Sequence, residues 1–276
     1  RSYEELGMAA EDFKRTGVEL VAVAGGDGTN HVTITGLVEV YGQAKLPYFG
    51  LLRGGTMNTV ATSFGVPWGD PEKLLTRIKR AYEGRAFKAM KFVEPNVLRV
   101  SRHYGFIFGT GAIYGFIAEY NRKEDRSPTW AAEVLARTIG SAAVKGERIS
   151  RVAQRWRGRV RFDDGSSFPE RDYFTVGAST CGQIGLGFKP FYMAGTVPDQ
   201  VHMLGVHCTT GEFIAGLPNI WQGRTLGGDK TYERVTDHAI LEPSEDTVPY
   251  TLDGDIYVHE GPLEVRCGPR IRIVVP

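Results

Sequence analysis

The stretch VAVAGGDGTN, Val21 to Asn30, decides how this chain is read. Four small apolar residues read as a buried strand, and they run straight into Gly25-Gly26-Asp27-Gly28-Thr29. Glycines let backbone N–H groups approach an anion closely, and a helix starting there adds its positive N-terminal end. Open sheets bind ligands at the carboxyl edge of their strands, where this turn falls. The plainer reading is an ordinary tight turn between strand and helix. Its place directly after the strand favours a phosphate cradle with one carboxylate, Asp27, in its middle.

Outward from this point the N-terminal part alternates strand and helix. Leu6, Ala10 and Phe13 fall at helical spacing ahead of Gly17, which is placed to stop that helix. A strand over 19–24 is followed by a helix over about 29–41, the strand PYFGLL, the loop RGGT and a short helix over 57–64 ended by Gly65. In DPEKLLTRIKRAYEG, Asp70 suits an N-cap and Pro71 the first turn; Leu74, Leu75 and Ile78 form one face, and Gly84 closes the helix. Such alternation predicts a parallel sheet covered on both faces. The first helix precedes the first strand, whereas a doubly wound domain usually has an earlier strand and helix. That unit is expected to lie outside this chain.

Beyond about Phe87 the rhythm is mainly that of strands: NVLRV, YFTVGAS, VHMLGVHCTT, PLEVRC and RIRIVVP, with turn residues between them. One helical interruption is predicted over roughly 118–144, carrying Trp130, Val134 and Leu135. The fold class expected is α/β: an N-terminal doubly wound, Rossmann-like domain over 1–87, then a mainly antiparallel, β-sandwich-like domain over 88–267. The closing strand near 268–276 is expected to return to the first domain. No repeat or low-complexity linker separates the halves, which predicts close packing with a cleft between them.

Composition narrows the function. A formal net charge of +1 over 276 residues argues against a dedicated nucleic-acid binder, which shows a strong basic excess. Cys181, Cys208 and Cys267 are scattered without CxxC spacing, so neither a disulfide framework nor a zinc site is signalled and a reducing, cytoplasmic setting is expected. No apolar run has membrane-spanning length, and no charged-then-apolar leader opens the chain.

Gly25, Gly26, Asp27, Gly28 and Thr29 match the GGDGT motif of the diacylglycerol kinase catalytic domain, shared with sphingosine and ceramide kinases and more distantly with NAD kinases and phosphofructokinases. A second segment, GLLRGGTMNTVATSFGVP (50–67), resembles without gaps the lipid-kinase form GILPLGTGNDFARALGIP, with Gly55, Thr56 and Asn58 at its glycine, threonine and asparagine positions. A third, TLDGDIYVHEGPLEVRCGPRIRIVVP (251–276), is similar to the closing LDGE segment of bacterial diacylglycerol-kinase-like enzymes. The three stand in family order at family spacing.

The resemblance implies a two-domain lipid kinase that uses ATP and Mg2+ to phosphorylate the hydroxyl of a membrane lipid: diacylglycerol, ceramide, a sphingoid base or another lipid alcohol. It implies peripheral membrane association, no nucleic-acid partner, and lipid-acceptor duty for 88–267. It gives nucleotide binding to Gly25, Gly26, Asp27, Gly28, Thr29, Gly55, Thr56 and Asn58. Asp253 takes the base role, with Asp27 able to share or take it, and Asp255 replaces the family glutamate as metal ligand. Phosphoryl transfer to an alcohol requires such a carboxylate and no covalent nucleophile. Read from the residues alone, Asp253-Gly254 is a common two-residue hairpin signal.

The chain also departs from the family pattern. Asn30, His31 and Val32 follow GGDGT where the family has a Leu-Asn-Glu-Val-like stretch, so the customary glutamate is absent. Arg53 replaces a proline, and Met57 and Thr59 replace the second glycine and the aspartate of GTGND. In AGTVPDQVHML only Asp199 remains of an Asp-Asp-Gly that helps bind a structural magnesium. These departures keep a catalytically degenerate lipid- or nucleotide-binding module as an alternative. An NAD kinase is disfavoured because its later asparagine-glycine and GSTAY-like segments are missing.

Four further features carry weaker expectations. LGGDK (226–230) reads as a loop. His202 and His207, five apart in a predicted strand, fall on opposite faces and share no metal. HYGFIFGTGAIYGF (103–116) reads as a core strand and turn or as the lining of a lipid pocket. The run KGERISRVAQRWRGRVR holds Lys145, Arg148, Arg151, Arg155, Arg157, Arg159 and Arg161 around Trp156. It reads either as a membrane-docking surface with an interfacial Trp or as a solvated strand face.

Overall fold

A computed structural model describes residues 3–42, 44–84, 87–123, 127–143 and 147–276. Lys145 of the arginine-rich run lies outside the described residues. The chain opens with α1 (Tyr3–Thr16), β1 (Leu20–Val23), α2 (Asp27–Tyr41), β2 (Tyr48–Leu51), α3 (Thr59–Ser63) and α4 (Pro71–Glu83). The α4 signals act as the sequence predicts: the Asp70 carboxylate accepts from the backbone N–H of Glu72 and Lys73 at 2.8 and 3.3 Å, and Gly84 ends the helix. Helix α2 starts two residues earlier than expected, which puts Asp27 in its first turn.

There follow β3 (Lys91–Val93), β4 (Asn96–Val100), β5 (His103–Gly105) and β6 (Ile107–Thr110), then α5 (Ala112–Tyr120), α6 (Pro128–Ala143) and α7 (Glu147–Val152). The single helix expected over 118–144 is therefore broken, because α5 stops at the Asn121 turn and Pro128 restarts the chain as α6. Next come β7 (Trp156–Phe162), β8 (Ser167–Tyr173), β9 (Thr175–Ser179) and β10 (Val201–Val206). The remainder is α8 (Thr210–Trp221), β11 (Thr231–Thr236), β12 (His238–Pro243), β13 (Thr247–Leu252), β14 (Asp255–Glu260), β15 (Leu263–Arg270) and β16 (Arg272–Val275). Helix α8 was not expected, since VHMLGVHCTT reads as one strand. The strand ends at Val206, and Thr209 and Glu212 form a reciprocal capping box. That Thr-x-x-Glu spacing is visible in the sequence, but Gly211, Gly216 and Pro218 disguise the helix behind it.

Three sheets result. The first runs β1-β2-β16-β3. Strands β1, β2 and β16 are parallel, with Ile273 opposite Phe49, and β3 is antiparallel to β16. Strand β1 stands at the edge and leaves Ala22 and Ala24 exposed, so VAVA is half-buried rather than buried throughout. The other two sheets, β11-β10-β9-β6-β13-β14 and β5-β4-β15-β12-β7-β8, are antiparallel throughout. One apolar core, with Leu98, Phe108, Val160, Val176, Met203 and Leu252 among its members, joins them. Fold class is thus α/β, with a parallel-containing N-terminal sheet and a mainly antiparallel second part.

Strand β16 carries fully buried Ile273 and sits between β2 and β3, so residues far apart in sequence complete one core. Ile273→Ala is expected to cost about 2–5 kcal/mol in chemical denaturation, the range for deleting a buried Ile side chain. A loss below about 1 kcal/mol would mean that β16 is not an integral strand of that sheet.

Candidate active site

Two glycine loops meet at the start of α2. A Cβ on Gly55 would lie 2.1 Å from the Gly26 Cα, and one on Gly54 would lie 2.9 Å from the Gly25 backbone nitrogen. A Cβ on Gly25 would lie 2.3 Å from that of Thr29. Side chains are thus excluded by contact, and the backbone at the helix start stays bare. Gly26 is the N-cap of α2 and no side chain caps it, so the first N–H groups and the helix dipole are available to an anion. Asn58 takes the left-handed conformation at φ 47°, and its side-chain oxygen accepts from the Gly55 N–H at 3.1 Å. The structure therefore brings Gly25, Gly26, Asp27, Gly28, Thr29, Gly55, Thr56 and Asn58 to one place.

Asp27 uses both carboxyl oxygens there. They accept from the backbone N–H of Thr59 at 2.8 Å and of Val60 at 3.0 Å, so this one side chain ties the α2 start to the α3 start. Burial of the carboxyl group raises its pKa, and the two N–H donors only partly offset that.

Asp253 arrives from the other part of the chain. It and Gly254 form the two-residue turn between β13 and β14, with φ of 50° and 92°, the positive pair a type I′ hairpin turn requires. The Asp253 carboxylate is buried and accepts from the Phe106 N–H at 3.0 Å and the Ile107 N–H at 2.9 Å. Burial first, and then the charge of Asp27, push its pKa well above the usual carboxylate range, against those donors. Gly105 is obligatory here, because its Cβ would lie 2.6 Å from an Asp253 oxygen. Asp255, the next residue but one, lies over the first turn of α2: an Oδ1 of Asp255 is 3.0 Å from where a Gly28 Cβ would stand. The Asn121 amide donates to the Gly254 carbonyl at 3.1 Å and steadies the turn from the end of α5. Nothing in the sequence signalled Asn121, whose role depends on packing across 133 residues.

These groups line one end of a cavity of about 1020 Å3. The rest of it is apolar and runs between α5, α6 and α8, with Phe116, Leu135, Ile139, Phe213 and Leu217 in its wall. The glycine-rich aromatic run divides: Phe106 and Phe108 are core residues, while Ile107, Ile113 and Phe116 face the cavity.

The departures from the family pattern also have places. His31 is fully buried, with Nδ1 2.7 Å from the Tyr104 carbonyl and Nε2 2.7 Å from the Tyr257 hydroxyl. Burial lowers its pKa, so the ring is neutral and brings no negative charge. Arg53 donates to the Val66 carbonyl at 2.7 Å and the Thr62 hydroxyl at 2.8 Å, and stacks on Trp68, so it braces the far end of α3. Met57 lines the cavity, its methyl group against Gly185. Asp199 is held by both arms of Arg270 at 2.9 Å each and by Asn96 at 3.0 Å. A cation there would have to displace that guanidinium, so these residues do not fit a structural magnesium. No group of three His, Cys, Asp or Glu placed to hold a metal occurs among the described residues.

LGGDK lies between α8 and β11 as a loop. His202 is buried against Phe191 and Tyr192, whereas His207 falls past the end of β10. Trp156 is not interfacial: it is 4 % exposed and stacks on Tyr173 inside the sandwich. No helix among the described residues is long and apolar enough to cross a membrane.

The family model described as the diacylglycerol kinase catalytic domain matches residues 3–90. A probable lipid kinase YegS of Salmonella arizonae is 36 % identical over 97 residues, 35 % of this chain and 29 % of that protein. The protein of the same name from Salmonella heidelberg is 38 % identical over 78 residues, 28 % of this chain and 24 % of its own length. The chain thus matches less than a third of either relative's length. In three dimensions it is similar over its whole length to a putative diacylglycerol kinase from Bacillus anthracis, with TM-score 0.69, 15 % identity and 84 % of that chain covered. A second diacylglycerol kinase structure from that organism gives TM-score 0.64 at 14 % identity over 83 % of its chain. At such identities the likeness is one of fold. Residues 3–90, which carry both glycine loops, match the diacylglycerol kinase catalytic domain family model, and the whole chain has the fold seen in those kinase structures.

Proposed function

We propose that this protein is a lipid kinase that transfers the γ-phosphoryl group of ATP to the hydroxyl of a membrane lipid, diacylglycerol first, with ceramide, a sphingoid base or another lipid alcohol as the further candidates. One observation carries the reading: a single cavity joins the bare-backbone start of α2 and three carboxylates to an apolar chamber between α5, α6 and α8. A phosphate end continuous with a hydrocarbon end suits a substrate that has both characters.

In this reading the N–H groups at the α2 start, with Thr29 and Thr56, hold the ATP phosphates. Asp255, which lies over Gly28, would hold Mg2+, which when bound neutralises phosphate charge. Asp253 accepts the proton of the lipid hydroxyl as its oxygen bonds to the γ-phosphorus and the bond to the β–γ bridging oxygen breaks. A carboxylate whose pKa is raised by burial is a stronger base than an ordinary one, and Phe106 and Ile107 fix its orientation. Asp27, with both oxygens engaged by α3, acts by positioning the two loops. A binding module without catalysis is the second reading, favoured by the absence of the family's glutamate from the Asn30-His31-Val32 stretch that follows the glycine loop. Magnesium-dependent phosphorylation of a panel of lipids with labelled ATP separates the two.

Asp253→Asn keeps the hairpin tendency and is expected to lower kcat on the order of 10²- to 10⁴-fold with ATP affinity near wild type. Asp27→Asn is expected to lower both, because it loosens the α3 start. Wild-type turnover by Asp253→Asn would take the base role away from Asp253.

The folded pKa of Asp253 is raised, so ionising it costs stability: the cost is absent below the ordinary value of 3.8 and grows as pH rises through the folded pKa. The melting temperature of Asp253→Asn relative to wild type should therefore climb with pH above about 4, while wild-type kcat should show an acid limb above the usual carboxylate range. A melting difference independent of pH would contradict the buried, shifted carboxyl.

Gly28→Ala adds a methyl group against Asp255. It is expected to weaken the apparent Mg2+ affinity in ATP turnover at little cost in melting temperature. An unchanged Mg2+ dependence would remove Asp255 from the metal site.

A further inference from the structure

The arginine-rich run offers a membrane little. On β7 the residues alternate, with Trp156, Val160 and Phe162 inward and Arg157, Arg159 and Arg161 outward. Most of the outward cations meet acids of neighbouring strands: Arg157 with Glu170 at 3.9 Å and Arg161 with Glu242 at 2.8 Å. Arg155, just ahead of the strand, meets Asp172 at 3.5 Å. Charges answered in this way project only a weak field, and no exposed aromatic residue lies among them.

A different face combines the required features. The Lys189 N–H donates to the Ile220 carbonyl at 3.0 Å, and the Arg224 N–H donates to the Asn219 carbonyl at 2.9 Å, so both residues are fastened to the C-terminal end of α8. Trp221 ends that helix, is 57 % exposed, and has its ring nitrogen 3.4 Å from where a Gly187 Cβ would stand. Lys189 and Arg224 are exposed, and neither side chain has an ion pair or hydrogen bond among the described residues. Arg224 also lines the apolar cavity, together with Leu186, Phe188 and Ile220. Two unanswered cations and an exposed indole thus stand at the rim of the chamber.

We propose that Lys189, Trp221 and Arg224 form the surface by which this protein docks on an anionic lipid bilayer, with the cavity mouth facing the membrane. The cations meet anionic headgroups, and Trp221 lies at the headgroup level that its amphipathic ring prefers. The apolar wall then continues from the hydrocarbon into the protein, so a lipid chain enters without crossing water. This part rests on the lipid-kinase reading; the docking itself does not.

The test is sedimentation with vesicles of phosphatidylcholine containing phosphatidylglycerol, at low and high salt. Lys189→Gln/Arg224→Gln is expected to weaken binding on the order of 30-fold, two surface charges each contributing about fivefold. Trp221→Ala is expected to weaken it further, and salt to weaken wild-type binding. Arg157→Gln/Arg161→Gln, on the β7 face, is expected to bind like wild type. Wild-type binding by the Lys189/Arg224 variant, or loss of binding confined to the β7 variant, overturns the proposal. Wild-type turnover on detergent-dispersed lipids is measured separately. If no lipid is phosphorylated but vesicle binding still depends on Lys189 and Arg224, the kinase reading falls and the docking face stands.

Discussion

The structure depends on the contact between two backbones, Gly26 and Gly55, which come so close that no side chain fits between them. Each belongs to a loop that follows a parallel strand, β1 or β2, so the contact occurs at the carboxyl edge of the sheet. Because both positions are glycine, the start of α2 presents bare N–H groups. Because the loops touch, the Asp27 carboxylate reaches the start of α3 and locks it with two hydrogen bonds. The glycine-loop end of the cavity is thus rigid through sterics first and hydrogen bonding second.

The same place concentrates negative charge. Asp27, Asp253 and Asp255 gather here; burial disfavours ionisation of Asp27 and Asp253, and the charges of Asp27 and Asp255 further raise the pKa of Asp253. Backbone N–H donors from β6 and its preceding residue, and from α3, recover only part of that cost. The arrangement is poor for stability and well suited to receiving positive charge or a proton. It also unites the two parts of the chain, since Asp27 belongs to the α/β part and Asp253 to a hairpin of the antiparallel part.

Local signals were legible in the sequence; distant ones were not. The glycines of both loops, the Asp70-Pro71 helix start and the Asp253-Gly254 hairpin each encode their geometry within a few residues, and each is found as read. The inward turn of Trp156 was legible too, since WRGRVRF alternates apolar and charged residues along the strand. What escaped was set by packing over long separations: the Asn121 contact with Gly254, the His31 bridge to Tyr257 across 226 residues, and the fastening of Lys189 to the end of α8. Helix α8 itself was hidden by glycines and a proline that tertiary contacts tolerate, Gly216 being filled by Leu226.

The position of β16 bears on how the chain is made. Residues 272–275 lie between β2 and β3 in the N-terminal sheet, yet a ribosome produces them more than 170 residues after β3 is complete. During synthesis β2 and β3 must therefore wait unpaired on the side that β16 will fill. The intervening sandwich is finished first, and loop closure over that distance is slow. The glycine loops follow strands of the first sheet, so they cannot be firmly set until β16 is in place. A nascent or truncated chain carries the whole glycine motif without the completed sheet that shapes it, which confines the assembled site to the finished molecule.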